Sequence, residues 1–278
     1  EMSASLVGSE MCIRDSDYTA LSSMENYKQW GTYNVHDPAC KKIGDTYYLY
    51  STDAIFAENR KEAKEKNVPL GFVQVRKSKD LVHWDFVGWA FPEIPAPAIE
   101  WVHSQAEGKG ATNIWAPYLM PYQGIYRLYY CVSAFGRNTS YIGMAESDSP
   151  EGPWIHKNMG GRIYDLGVLF DDDDKIYAVH GYDEVHLIEI KPDFSGYVEG
   201  SDRIIIPKGN AMGEGHHFYK INGKYYIISA DYAPVGRMQC ARADRPEGPY
   251  ETTVISHRET MGIQQGWWTQ GYGFWSDI

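Results

Sequence analysis

The chain has 278 residues, 43% of them hydrophobic, so it is long enough to bury one large core or two smaller ones. Its formal net charge is -11 at pH 7, because 37 Asp and Glu residues outnumber 26 Lys and Arg residues. A molecule with this charge repels phosphate backbones and anionic lipid surfaces. No apolar run of about 18 residues occurs, so we expect neither nucleic acid nor a membrane as a partner.

The two ends of the chain differ in character from the rest. Residues 1–16 show no hydrophobic period and lead into no strand pattern, so we predict a non-native leader there. Residues 266–278 end in the middle of a strand pattern, which predicts a domain truncated at its C-terminus. No signal peptide is visible, and the localisation stays open, with a periplasmic or secreted position compatible with the sequence.

The main pattern of the chain is an internal repeat, in which a turn leads into a run of β-branched and aromatic residues. Four copies occur, at residues 42–51, 121–130, 171–180 and 220–229. Each is followed by a second strand-and-turn unit, at residues 73–84, 142–154, 185–194 and 238–250. Residues 54–111 form an insertion, in which acidic and basic residues at i, i+4 spacing predict one surface helix at residues 58–66.

Repeat spacings of roughly 50 to 80 residues suit four-stranded propeller blades. We therefore predict an all-β fold, a five-bladed β-propeller with an incomplete last blade, as one catalytic domain over residues 17–278. A parallel α/β fold would need a helix of about ten residues between strands, and the intervals contain Gly, Pro, Asn and Asp instead. A two-sheet sandwich stays open, although it does not predict blade-like repetition.

Three acidic residues stand at or near the start of the innermost strand of successive repeat units. Asp37 lies before a proline, Asp165 interrupts an apolar strand, and Glu214 lies between two glycines. An acid among apolar neighbours needs a reason, and flanking glycines permit close approach of a ligand. Because innermost strands converge on the axis of a propeller, the three carboxyl groups form a candidate site.

Cleavage of a glycosidic bond needs such a set of acids. One carboxylic acid protonates the leaving oxygen, one carboxylate activates a water or attacks the sugar, and a third carboxylate nearby can raise the pKa of the acid. Each acid taken alone is more often structural, as a turn former or a cap. Their convergence is what makes them candidates.

The segments that carry these acids, residues 35–38, 164–173 and 213–226, resemble glycoside hydrolase family 43. The resemblance covers the chain from about residue 31 to its end. It implies that Asp37 is the general base, Asp165 the acid that orients and tunes the pair, and Glu214 the general acid of an inverting mechanism. One departure is Leu166, since the family commonly has Pro after the middle Asp. Invertase-type propellers carry other motifs, so fructan cleavage is the weaker choice.

Four further residues are assigned to sugar binding. Residues 113–118 and 133–136 resemble the arabinanase members of the family, in which Trp115 and Phe135 would line the sugar pocket. His36 lies beside the base and His216 close to the acid. Trp115 is explained equally well as a core residue. Behind residue 160 the chain looks more like the β-xylosidase and α-L-arabinofuranosidase members, so arabinose and xylose both stay open.

This chemistry requires no cofactor. A structural calcium ion stays open without an assigned ligand, because the acidic residues 171–174 indicate a hairpin turn and not a calcium loop. The resulting prediction is an inverting hydrolase of arabinose- or xylose-containing plant polysaccharides, namely an α-L-arabinofuranosidase, an arabinanase or a β-xylosidase. The alternative is a carbohydrate-binding propeller without turnover. This alternative would be favoured if Asp165 pointed away from the pocket.

Overall fold

The computed structural model describes residues 35, 37–52, 61, 63–67, 70–105, 111, 113–133, 141–159, 163–210, 212–231 and 237–257. Within these residues the strands form four antiparallel sheets of four strands each, and neighbours in every sheet are neighbours in the chain. The prediction of an all-β propeller is therefore confirmed, with four blades in the described part of the chain.

Blades 1 and 2 come from the first half of the chain. The strands of blade 1 are β1 (Ala39–Ile43), β2 (Thr46–Ser51), β3 (Phe72–Ser78) and β4 (Asp85–Phe91). The strands of blade 2 are β5 (Asn113–Tyr122), β6 (Ile125–Ser133), β7 (Tyr141–Ser147) and β8 (Ile155–Asn158). Between the blades lies a helix, Ala96–Gln105, that the sequence did not predict and that buries Ala98 and Val102 one turn apart.

Blades 3 and 4 come from the second half. The strands of blade 3 are β9 (Gly167–Phe170), β10 (Ile176–Tyr182), β11 (Glu184–Ile190) and β12 (Arg203–Ile206). The strands of blade 4 are β13 (Glu214–Ile221), β14 (Lys224–Asp231), β15 (Arg237–Ala243) and β16 (Glu251–His257). No helix in the described part of the chain is long and apolar enough to cross a membrane.

The hairpins between the first two strands of a blade follow the turn residues of the repeat. Gln123 and Gly124 have φ of 51° and 78°, and Asn222 and Gly223 have φ of 51° and 73°. Two successive left-handed residues are typical of the tight hairpin turn that matches the twist of the strands. This turn occurs in blades 2 and 4, whereas the corresponding hairpins of blades 1 and 3 have one left-handed residue each, Gly44 and Asp174.

Successive blades share a core because each strand presents its alternate side chains to two neighbours. Tyr130 packs in the core between blades 1 and 2, while the adjacent Tyr129 packs in the core between blades 2 and 3. In the same way Ala178 belongs to the core between blades 2 and 3, and Tyr177 to that between blades 3 and 4. The innermost strands β1, β5, β9 and β13 are thereby held around one axis.

Side chains from the innermost strands meet along this axis. The Tyr118 hydroxyl on β5 donates to the Val168 carbonyl on β9 at 2.9 Å. The Tyr118 ring lies 5.5 Å from the Lys41 ammonium on β1 and 5.5 Å from the His217 ring on β13. Burial lowers the pKa of Lys41, and burial, followed by the charge of Lys41, lowers the pKa of His217 to about 3.

Candidate active site

The three predicted acids lie at the beginnings of innermost strands, at one end of the propeller. Asp37 lies two residues before β1, Asp165 two residues before β9, and Glu214 is the first residue of β13. Asp37 and Asp165 both have left-handed backbones, with φ of 43° and 59°. The prediction that Asp165 lies on a strand is wrong, because a left-handed residue interrupts the extended backbone and β9 starts only after it.

The structure brings Asp165 and Glu214 together across the boundary between blades 3 and 4. The Gly215 amide donates to Asp165 Oδ2 at 2.5 Å, so Asp165 faces the strand that carries Glu214. Both acids are almost fully enclosed, with exposed fractions of 7% for Asp165 and 2% for Glu214. Acidic residues are rarely fully buried, so two of them near one boundary between blades mark a candidate functional site.

The Tyr164 hydroxyl donates to Glu214 Oε2 at 3.0 Å. Burial, followed by the charges of Asp165 and Glu214, raises the pKa of Tyr164 far above its ordinary value, so the hydroxyl keeps its proton. Asp165 is fixed in addition from blade 2, because its amide donates to Cys131 Sγ at 3.3 Å. Neither Tyr164 nor Cys131 was singled out from the sequence.

Two glycines permit close approaches of the backbone around Glu214, Gly213 inside blade 4 and Gly167 between blades 3 and 4. Gly213 has φ of 62°, and a Cβ placed on it would lie 2.0 Å from the Ala230 carbonyl oxygen. A Cβ on Gly167 would lie 2.3 Å from the His216 carbonyl oxygen. A side chain at either position would therefore separate backbones that the site needs in contact.

Asp37 lies in a different setting, just before the first strand of blade 1. The Thr52 hydroxyl, at the end of β2, donates to Asp37 Oδ2 at 2.6 Å and accepts the Ala116 amide at 2.7 Å. Ala116 itself has φ of 47° and lies at a bulge in β5. A backbone amide of blade 2 therefore fixes the Thr52 hydroxyl, and this hydroxyl in turn binds Asp37. Asp37 itself is only half-buried.

The predicted sugar-binding residues have different outcomes. Trp115 on β5 is half-buried and packs against the core between blades 2 and 3. This position is compatible both with a core residue and with a residue that contacts a sugar. His36 and Phe135 lie outside the described residues. A role of these three residues in sugar binding stays a prediction.

His216 is 1% exposed, and both of its ring nitrogens have protein partners. Nδ1 lies 2.6 Å from Ser229 Oγ, and Nε2 lies 3.1 Å from the Gly181 carbonyl. Because a carbonyl only accepts, Nε2 carries the proton and Nδ1 accepts from the serine. Burial, followed by the nearby His180, lowers the pKa of His216 to about 3, so the ring is neutral. A contact between His216 and a sugar would require one of these bonds to open.

Chemically, the innermost strands carry two enclosed carboxyl groups, one of which accepts from a neutral phenol, and a half-buried carboxyl group at the start of blade 1. Carboxyl groups of this kind can donate or accept a proton. The expectation that no cofactor is needed stays a prediction.

The chain is similar to known proteins over most of its length. Residues 31–275 match the model of the glycosyl hydrolases family 43. The chain is 26% identical over 255 residues to an extracellular endo-α-(1→5)-L-arabinanase of Thermotoga petrophila, which covers 78% of this chain and 50% of that protein. It is 33% identical over 252 residues to an extracellular exo-α-(1→5)-L-arabinofuranosidase of Cellvibrio japonicus, which covers 78% of this chain and 66% of that protein.

Solved structures support the same fold. An exo-1,5-α-L-arabinanase from a bovine ruminal metagenomic library superposes with a TM-score of 0.64 at 22% identity, over 81% of this chain and 80% of that one. At this identity the likeness concerns the fold alone. The chain spans about half the length of the first relative and about two thirds of the second.

Proposed function

The chain belongs to glycosyl hydrolase family 43, and from this premise we propose that it hydrolyses arabinose- or xylose-containing plant polysaccharides with inversion at the anomeric carbon. The observation that carries the proposal is the burial of Asp165 and Glu214 at the boundary between blades 3 and 4, where Asp165 accepts from the amide next to Glu214. Cleavage of a glycosidic bond needs such carboxyl groups as proton donor and as base or nucleophile.

The proposed roles follow from these settings. Glu214 protonates the glycosidic oxygen, and Tyr164, which donates to Oε2, holds the carboxyl group in position. Asp37, half-buried and held by Thr52, takes a proton from the attacking water. Asp165 touches neither water nor leaving group in this scheme, and it keeps the start of β13 in place through the Gly215 amide.

The orientation of Asp165 also bears on the alternative of a binding module. A propeller that only binds sugar has no use for a buried carboxyl group turned towards a second one, since burial of both is unfavourable. Asp165 faces the strand of Glu214. This orientation favours turnover over binding alone.

We also propose a fifth blade between blades 4 and 1. Ile228, Ala230 and Met238 form a buried cluster on blade 4 with partly buried Tyr219 and Cys240, and no described residue of another blade belongs to it. The three clusters that join successive blades involve other faces. An apolar face of this kind needs a neighbouring sheet. A crystal structure with five sheets around the axis would support the proposal, and one with blade 4 directly against blade 1 would refute it.

The function is tested by a substrate screen. The purified chain is assayed with nitrophenyl α-L-arabinofuranoside, nitrophenyl β-D-xyloside and linear arabinan, beside a Glu214→Gln variant from the same preparation scheme. Hydrolysis of at least one substrate by the wild type, and a large loss in the variant on arabinan or its oligosaccharides, is the expected result. A folded wild type that binds arabinan but cleaves none of the three would support the binding module instead.

A further inference from the structure

A second group of ionisable side chains lies on blade 3, apart from the three acids. His180 on β10 and His186 on β11 are directly opposite each other in the sheet. His186 is in turn opposite Ile204 on β12, and Asp202 stands two residues before Ile204. Asp202 directly precedes β12, and its contacts with both histidines place His180, His186 and Asp202 on one side of blade 3.

One carboxylate oxygen is shared by the two imidazoles. His180 Nε2 lies 3.2 Å from Asp202 Oδ1, and His186 Nδ1 lies 3.1 Å from the same oxygen. The two rings are stacked with centroids 5.0 Å apart. One ligand atom from each of the three residues lies within 4.8 Å of the others.

These separations are those of ligand atoms around one metal ion. With tetrahedral bonds of about 2.0 to 2.1 Å, neighbouring ligand atoms of zinc stand about 3.3 Å apart. The two contacts to Asp202 Oδ1 also fall within the range of about 2.7 to 3.2 Å of an ordinary N–H···O hydrogen bond, and the convergence of two imidazoles on one carboxylate oxygen is what points to an ion. We infer that His180, His186 and Asp202 form a binding site for a divalent transition-metal ion such as Zn²⁺.

The surroundings of His186 support the inference. The other ring nitrogen of His186, Nε2, lies 3.2 Å from Glu184 Oε1. A metal-binding histidine commonly donates its second N–H to a carboxylate, which fixes the ring and increases the basicity of the nitrogen that binds. Glu184 thus stands where a residue that orients a metal ligand is expected, on the same strand as the ligand.

The donor set selects the class of ion. Two imidazole nitrogens and one carboxylate oxygen suit Zn²⁺ and neighbouring transition metals, whereas Ca²⁺ takes six to eight oxygen ligands. The group is also accessible from outside, because the exposed fraction of the side chains rises from 8% at His180 to 26% at His186 and 48% at Asp202. An ion can therefore reach the buried histidine through the carboxylate side.

The site would bind three strands of blade 3 together beside the proposed active site. His180 directly precedes Gly181, whose amide donates to the Tyr164 carbonyl at 2.9 Å and whose carbonyl accepts from His216. The ion would thereby fix the end of β10, which hydrogen-bonds to Tyr164, next to Asp165, and to His216, two residues after Glu214. None of the three metal-binding side chains belongs to the proposed acid and base.

The test is a metal titration of the tag-free chain after treatment with EDTA. Calorimetry, and competition with a zinc-binding dye, should give one Zn²⁺ per chain, together with a higher melting temperature in the presence of the ion. Millimolar Ca²⁺ should leave the Zn²⁺ titration unchanged. Co²⁺ in the same site should show the visible absorption of a site with nitrogen and oxygen ligands.

Variants locate the ion. His186→Gln and Asp202→Asn, both at partly exposed side chains, should lose stoichiometric Zn²⁺ binding while keeping the wild-type circular dichroism. Glu184→Gln should weaken binding about 10- to 100-fold. His83→Gln is the matched control, because His83 pairs with Asp80 at 2.7 Å in blade 1 without a second histidine. Zn²⁺ binding that is absent in the wild type, or equal in wild type and His186→Gln, would overturn the inference.

Discussion

The two sides of the proposed active site are built differently. On one side Asp37 is half-buried and receives the Thr52 hydroxyl, which is itself held by a backbone amide of blade 2. On the other side Asp165 and Glu214 are buried between blades 3 and 4 and receive a backbone amide and a phenol. This difference suits the proposed roles, since a general base must meet the attacking water whereas a general acid can act from an enclosed position.

The largest loss of turnover is expected for variants of the proposed general acid and general base. Glu214→Gln keeps the shape of the side chain but removes the transferable proton, so turnover of arabino-oligosaccharides should fall about 10²- to 10⁴-fold. Nitrophenyl substrates need less protonation, so their loss should be much smaller. Asp37→Asn should impair both substrate types to a similar degree, because activation of water is needed for each. Steady-state kinetics on the two substrate types measures these losses. If both variants lost the same activity on both substrate types, the assignment of acid and base would be contradicted.

The second prediction concerns the tight packing on the acid side. Gly213→Ala adds a Cβ against the Ala230 carbonyl at a left-handed residue, so we expect a loss of about 3 kcal/mol in the free energy of unfolding. Gly223→Ala is the matched control, because Gly223 has φ of 73° but open space around it. The control should lose only about 1 kcal/mol. Urea denaturation of both variants measures the difference, and equal losses would show that the close contact contributes nothing.

Much of this arrangement was predictable because it is local in the sequence. Hairpin turns and alternating apolar residues mark every blade, and the acids Asp37, Asp165 and Glu214 stand at fixed places relative to those strands. The partners of the acids were not predictable, because they come from other strands. Thr52 is 15 residues from Asp37, and Cys131 is 34 residues from Asp165.

Two further features had no usable local signal. The helix Ala96–Gln105 begins in a segment rich in proline, which masks its apolar spacing. The group on blade 3 has no recognisable metal motif, because its two histidines meet through the register of β10 and β11 and its aspartate comes from a third strand. Such groups become visible only when the pairing of strands is known.

The third prediction uses the neutral His216 on the acid side. Its pKa is about 3 in the folded protein, against about 6.5 in an unfolded chain, so between these values the unfolded state binds more protons. The contribution of His216 is therefore complete above pH 6.5 and is lost as the pH falls, at up to about 1.4 kcal/mol per pH unit. Burial also lowers the pKa of His217 to about 3, so His217 adds to the same trend.

Urea denaturation between pH 7 and pH 5 tests this dependence. His216→Gln should flatten the fall in the free energy of unfolding with decreasing pH, although the variant is less stable at pH 7. His103→Gln, at an exposed position in the helix, should leave the slope as in the wild type. A slope that is the same in wild type and His216→Gln would contradict the neutral, buried imidazole.

The smallest effects are expected where a hydroxyl positions an acid. Tyr164→Phe and Thr52→Val each remove one hydrogen bond to a carboxyl group, so each should lower kcat/KM about 2- to 10-fold while the fold is kept. Thr52→Ser keeps the hydroxyl and should restore the wild-type value. Steady-state kinetics measures the effect, and a wild-type kcat/KM in Thr52→Val would contradict a positioning role of this hydroxyl.

The most direct test of the division between the two sides is the stereochemistry of the first product. If water enters from the side of Asp37 while Glu214 protonates the leaving oxygen from the other, the sugar is attacked on the face opposite to the bond that breaks. Proton NMR during early hydrolysis should then show the anomer opposite to that of the substrate bond, before mutarotation mixes the two. Release of the same anomer would mean that a carboxylate attacks the sugar itself, and it would contradict the proposed mechanism.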